Sequence, residues 1–426
     1  MKNISQYVGK YIIKWLVVAT LVGIGGGFTA VALKMLIKFV GNLSSYVHIG
    51  LAPLIGGILV TFIYFWDKLA SGFGTDHYVC EVNESVGYLK TKTLFSKLIA
   101  TSITLGFQGS GGVEGPILVI GGSMGKMVSK IPVINKHFTN EDIRILTICG
   151  AAGAIGAIFR SPLGGGIFVV EVLYRSSLHY EDLFPAMLSS TMGFVTYSMI
   201  SDSTPLFIIP NYLPDVYNIP LFILTGIVAG IASLLFMRVF SWTQRFFDKL
   251  SYKKIHPILG GAMTGLILLV LPQVGGTGDH IIQQMIDKNF SIIFLILLFL
   301  GKILATSFTV ASGGSAGLVI PALFIGAISG NGISTLVANG NLGLSSSLVI
   351  SGMSASFASI ANVPIAAAIM LIEMAGLRLG VPATLGSIVG YAIGHSQIIY
   401  GINCPEHLQF EKMKKWRNFD INDESH

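Results

Sequence analysis

Gly109-Ser110-Gly111-Gly112-Val113-Glu114-Gly115-Pro116-Ile117-Leu118-Val119-Ile120-Gly121 opens on small residues, passes a carboxylate and a proline, and ends in an apolar run. A second stretch, Gly314-Ser315-Ala316-Gly317-Leu318-Val319-Ile320-Pro321-Ala322-Leu323-Phe324-Ile325-Gly326, repeats the pattern. Each reads as a loop followed by a helix that begins inside a membrane with proline in its first turn, because proline there gives up no needed donor. Two such helix starts can face one shared site.

The repeat runs further. Pro116 and Pro321 lie 205 residues apart, while Pro162 and Pro364, and Glu171 and Glu373, each lie 202 apart. Residues 149–162 are echoed by residues 351–364. Two homologous halves follow, over residues 1–200 and 215–403, with 404–426 as a short cytoplasmic tail. The tract Lys126, Lys130, Lys136, His137 has no charged counterpart in 329–347. That asymmetry is expected when equivalent loops face opposite sides of a bilayer, so the repeats are read as inverted.

Composition sets the class. Of 426 residues, 52% are hydrophobic and 11% charged, with mean hydropathy +0.72, too apolar for one soluble core. Ten apolar segments of spanning or near-spanning length run from 11–40 to 382–400. Between them lie short apolar pieces, at 116–128, 162–174, 318–331 and 364–377. A run of about 13 residues covers about 20 Å of a hydrocarbon core of about 30 Å, so these pieces are expected to enter without crossing. The fold expected is therefore an all-α integral membrane protein of two inverted-topology repeats with re-entrant and tilted helices. Lys2, Lys10 and Lys14 precede the first apolar run without a cleavage site, which suggests a cytoplasmic N-terminus and no removable signal peptide.

The net charge of +6 comes mainly from loops and ends, as in Lys412, Lys414, Lys415 and Arg417, and reads as cytoplasmic loop charge rather than nucleic-acid binding. Lys302 and Arg160 read as charges snorkelling to the membrane boundary. Cys80, Cys149 and Cys404 lack metal-ligand spacing and read as inert apolar fillers. No metal site, cofactor fingerprint or nucleophile with its base is apparent, so no cofactor and no enzyme activity are expected.

A helix N-terminus presents unpaired N–H groups and about half a positive charge, an anion site with no cationic side chain. Partial charges permit occupancy and fast exit where a lysine or arginine would hold the anion too tightly. Glycine lets the backbone approach the ion. The two loops therefore look like an anion cradle. Glu114 stands in the first of them, where its carboxylate would compete with a permeant anion, and protonation would end that competition. A carboxylate that merely caps its own helix is the plainer alternative.

Gly112-Val113-Glu114-Gly115-Pro116 resembles a G-[KR]-E-G-P filter segment, Gly317-Leu318-Val319-Ile320-Pro321 resembles G-x-F-x-P, and Phe159-Arg160-Ser161-Pro162-Leu163 to Glu171-Val172-Leu173 resembles the helix that follows the filter. In this combination the chain resembles the CLC family of chloride channels and chloride/proton antiporters over most of its length. The resemblance implies a homodimer in the cell (inner) membrane, with one anion pathway per subunit lined by helix N-termini from both halves. It implies Glu114 as gate and proton acceptor, and the backbone amides of Val113, Glu114, Gly115, Leu318 and Val319 as anion donors. Tyr400 is similar in position to a tyrosine whose hydroxyl contacts the central anion; an interfacial aromatic anchor is its alternative.

Departures from the family pattern accompany the matches. Gly72-Phe73-Gly74-Thr75-Asp76 falls where the family has G-S-G-I-P, so Phe73 replaces the serine hydroxyl. Central binding then falls to Tyr400 and amides, to the positive ring edge of Phe73, or to Thr75 in a shifted register. Asp76, repulsive if it faced the anion, is expected to be a cap on the following helix. Val172 stands where proton-coupled relatives commonly carry an internal glutamate, and Glu171 and Glu373, at equivalent places, read as structural groups at helix ends. The expected function is transport of chloride or a similar small monovalent anion, coupled to protons through Glu114. A passive channel, a fluoride-exporting relative and a non-transporting anion-binding membrane protein are the alternatives.

Overall fold

The chain is described by a computed structural model over residues 2–84, 89–173, 179–201, 204–210, 212–338 and 340–397. Among these residues there are seventeen α-helices and no strand beyond one isolated bridge. The first half contributes α1 (Lys2–Ser44), α2 (Ala52–Trp66), α3 (Thr75–Glu84), α4 (Thr91–Gly106), α5 (Glu114–Val128), α6 (Pro132–His137), α7 (Asn140–Ile158), α8 (Pro162–Glu171) and α9 (Tyr180–Ile200). The second contributes α10 (Ile219–Asp248), α11 (His256–Val270), α12 (Asp279–Asp287), α13 (Ile292–Ala311), α14 (Val319–Val337), α15 (Leu342–Ala361), α16 (Pro364–Ala375) and α17 (Gly380–Gly394). With α6 set aside, the halves match helix for helix.

Local chemistry places the breaks. Asn362 ends α15 in the left-handed conformation, and proline at the first position of α16 follows at once. Arg160, also at positive φ, plays that part before Ser161 and Pro162 of α8. Pro116 and Pro321 lie in the first turns of α5 and α14, as the loops led one to expect.

Among the described residues eight spans are long and apolar enough to cross a membrane, and large apolar side chains such as Ile13, Phe39 and Ile231 are exposed on them. The chain is a multi-pass membrane protein. α15 is buried from Gly343 to Ala361, and α14 packs against it through small residues: a Cβ on Gly326 would stand 2.2 Å from the Gly352 carbonyl oxygen. α14 runs 19 residues, past the apolar piece 318–331, because Ser334 and Thr335 find partners inside the protein: Ser334 Oγ donates to Asn289 Oδ1 at 2.9 Å and Thr335 Oγ1 to the Asn331 carbonyl at 2.8 Å. α3 is the helix expected after Asp76, and its mate α12, with nine residues, falls short of a spanning run.

The two-fold relation is visible in reciprocal contacts. The Ser110 amide donates to Thr309 Oγ1 at 3.1 Å, and the Ser315 amide to Thr104 Oγ1 at 3.1 Å. Ser110 pairs with Thr306, and Ser315 with Thr101, each at 2.9 Å. Gly276 donates to the Gln108 carbonyl at 3.2 Å and Gly72 to that of Gly313 at 3.0 Å.

α8 and α16 clasp each other by the same symmetry. Glu171, closing α8, accepts from the Ile365 and Ala366 amides at 3.1 and 2.7 Å. Glu373 accepts from Ser161 Oγ at 2.5 Å and from the Leu163 and Gly164 amides at 3.1 and 2.8 Å. These carboxylates cap the opposite half's helix, the structural role read for them at helix ends. Glu373→Ala is expected to cost about 2 kcal/mol, read as a lowered thermal midpoint in detergent, because it orphans three donors at once. An unchanged midpoint would remove the clasp from the account.

Cys149 is a free, buried thiol, as a filler would be. Cys80 is disulfide-bonded, which corrects its reading as inert filler. Tyr400, Cys404 and the basic tail lie outside the described residues.

Candidate anion site at the helix N-termini

The two glycine-rich loops meet head to head. Gly112 and Gly317 exchange N–H···O bonds at 2.8 and 2.6 Å, the isolated bridge of the structure, and so bring the first turns of α5 and α14 together. Glu114 is the first residue of α5, only 1% exposed, yet its carboxylate reaches across to the other half. Oε1 accepts from the Val319 amide, and the Ile320 amide also faces the group. Oε2 takes no hydrogen bond. The carboxylate therefore occupies the start of α14 as a tethered anion held through one oxygen.

A side chain on either flanking glycine would push the carboxylate from this position. A Cβ on Gly112 or on Gly317 would stand 2.1 Å from a Glu114 carboxylate oxygen. Without side chains there, backbone and carboxylate share the space an anion would need.

The loop before α3 closes the site from below α5. The Phe73 carbonyl lies 2.0 Å, and Thr75 Oγ1 2.9 Å, from where a Gly115 Cβ would stand. The structure thus brings Phe73, Thr75, Val113, Glu114, Gly115, Leu318 and Val319 into one place, all but Phe73 buried. The Phe73 ring stacks edge-on against Phe240 of α10, with centroids 6.3 Å apart. Asp76 sits in the first turn of α3, the helix it is expected to cap.

Two lysines anchor the loops, and neither snorkels. Lys302, fully buried on α13, donates to the carbonyls of Val274, Gly276 and Thr277 at 3.2–3.3 Å, which corrects its reading as a boundary charge. Lys97, its mate on α4, donates to the carbonyls of Ala70, Ser71 and Gly72 at 2.6–3.3 Å. The sequence reading passed over Lys97 and read Lys302 alone. Their spacing of 205 residues, the offset of the glycine loops, was the available signal. Arg160 donates to Thr204 and to the Pro205 carbonyl.

A family model described as voltage gated chloride channel matches residues 56–395. The chain belongs to that family. This CLC chain is 29% identical over 402 residues to an uncharacterized protein of Methanocaldococcus jannaschii, covering 93% of this chain and 98% of the relative. It is 28% identical over 444 residues to the H(+)/Cl(-) exchange transporter ClcA of Vibrio parahaemolyticus, covering 97% and 94%. Its fold is similar to that of a slow cyanobacterial Cl−/H+ antiporter, with TM-score 0.79, 22% identity and coverage of 91% and 94%. It is also similar to a CLC-type fluoride/proton antiporter, with TM-score 0.78, 20% identity and coverage of 92% and 97%.

Proposed function

We propose that this CLC chain exchanges chloride, or a similar small monovalent anion, for protons across the cell membrane, with Glu114 as gate and proton acceptor. The observation that carries the reading is the Glu114 carboxylate resting on the Val319 amide between two helix N-termini. An anion passing that point must displace it. Protonation removes its charge, frees the α14 N-terminus for the permeant anion, and couples the two movements.

The names of similar proteins support exchange, since one relative is a H(+)/Cl(-) exchange transporter and one similar structure a Cl−/H+ antiporter. The amides of Val113, Gly115, Leu318 and Val319 would hold the anion, with Thr75 as the nearby hydroxyl. The division at 1–200 and 215–403, the inner-membrane location and the homodimer belong to the same reading.

A second reading is favoured by Phe73. In the sequence it takes the place of the family serine, and one similar structure is a fluoride/proton antiporter. Competition between the two anions in liposomes decides: fluoride flux equal to or above chloride flux would replace the chloride assignment. If Phe73 borders the anion, Phe73→Ser adds one hydroxyl donor. Chloride is then expected to bind about fivefold more tightly by calorimetry, the equivalent of roughly 1 kcal/mol. An unchanged affinity would move the central anion away from residue 73.

A further inference from the structure

The two-fold that relates the loops also relates Thr75, at the start of α3, to Asp279, at the start of α12. Gly74 and Gly278 precede them, at φ +86° and +87°. A Cβ on Gly74 would stand 3.0 Å from Val119 and 3.1 Å from Lys97; one on Gly278 would stand 2.9 Å from Phe324 and 3.4 Å from Lys302 Nζ. Val119 and Phe324 are themselves repeat mates. Thr75 lies against Gly115 in the first turn of α5, and Asp279 takes the matching place beside α14, where the preceding Gly278 meets Phe324 in the second turn. That is the helix on whose start Glu114 rests. A hydroxyl in one half is exchanged for a carboxylate in the other.

We propose that Asp279 is a second proton-binding carboxylate, through which protons pass between the aqueous face at His280 and Glu114. The proposal rests on the reading of Glu114 as proton acceptor. Exposure falls along the route: His280 is exposed, Asp279 partly so, and Glu114 is buried. At its inner end Glu114 Oε2 is buried and takes no hydrogen bond, an open acceptor for a proton.

The charges around Asp279 fit the transfer. Thr277 Oγ1 donates to its Oδ2 at 3.1 Å. His280 on α12, Lys302 on α13 and Lys34 on α1 act on it electrostatically, and it acts on Glu114 of α5. Lys302 interacts with both carboxylates while its three donors are spent on carbonyls. Two carboxylates near one buried ammonium and one helix N-terminus favour holding a single proton between them. In the step itself an O–H bond breaks at Asp279 and one forms at Glu114, with water relaying the proton between them, since no described group stands within hydrogen-bond reach of Glu114 Oε2. Asp279 is left charged beside Lys302, and neutral Glu114 leaves the Val319 amide to the anion.

The test is chloride-driven proton uptake by proteoliposomes carrying the wild type, Asp279→Asn, Asp279→Glu, Glu114→Gln, and the Glu114→Gln/Asp279→Asn pair. Asp279→Asn is expected to slow proton uptake about tenfold and to move its pH dependence to lower pH, with Asp279→Glu restoring both. Chloride flux of the pair is expected to equal that of Glu114→Gln alone, since Asp279 acts only through the proton on Glu114; that comparison also shows that the substituted protein folds. Wild-type uptake in Asp279→Asn would overturn the proposal, as would a pair whose chloride flux differs from Glu114→Gln. A wild type that moves no protons overturns the reading of Glu114 and this proposal with it, a failure distinct from either of the others.

Discussion

Glu114→Gln is expected to abolish proton movement while leaving anion flux intact or raised. Glutamine keeps the size of the side chain but carries no charge, so it loses the attraction of the α14 N-terminus that holds the carboxylate on the Val319 amide. It also cannot bind and release a proton. In the wild type, anion flux is expected to rise as pH falls, because protonation releases the gate; in the variant it is expected to be flat across the same range. The carboxylate is poised for displacement: one oxygen is held and the other is buried without a partner, which costs about 1–3 kcal/mol for such a group. Flux measured in liposomes at several pH values checks this. A variant that keeps the wild-type pH dependence would show that the proton binds elsewhere.

Lys302→Met is expected to be the most damaging change away from the anion path. Methionine fills a similar volume, but the Val274, Gly276 and Thr277 carbonyls lose their donor. Gly276 O also accepts from the Gly111 amide at 3.2 Å, so the injury reaches the loop that leads into α5. Each hydrogen bond from a charged donor contributes about 1.5–3 kcal/mol, and relief of the lysine's own desolvation offsets part of the loss. The net expectation is destabilisation of about 3 kcal/mol or more, seen as a large drop in monodisperse protein after extraction and in its thermal midpoint. Lys97→Met should behave alike, since Lys97 holds Ala70, Ser71 and Gly72 in the mirror loop. Variants of wild-type stability would mean that the lysines do not pin these loops.

What was legible in the sequence were the features that repeat. The glycine loops, Pro116 with Pro321, Pro162 with Pro364 and Glu171 with Glu373 carry their meaning in spacing, and the members of each pair take equivalent places in the two halves of the structure. Glu114 has no such mate, since Val319 stands opposite it in the repeat, and its proposed role comes from the charge of a carboxylate in a loop suited to anions. Less legible was anything that depends on which atoms a side chain finds. Lys302 reads as a boundary charge until three carbonyls appear around its ammonium, and Lys97 draws no notice in an ordinary helical run. α12 sets Ile281, Ile282, Met285 and Ile286 at helical spacing, but its nine residues fall far short of a spanning run, and the kinship of Thr75 with Asp279 is hidden by a change of residue type. α14 outruns its apolar piece because Ser334 and Thr335, satisfied inside the protein, continue the helix where hydropathy falls.

The central claim is that one carboxylate, Glu114, stands in the anion path and ties it to protons. The most direct measurement is simultaneous anion efflux and proton uptake from chloride-loaded liposomes, with the chloride gradient as sole driving force. The account predicts protons driven uphill by chloride leaving, through a route that does not need an acid at Val172. Chloride efflux with no proton movement would contradict it and make the protein a passive pathway.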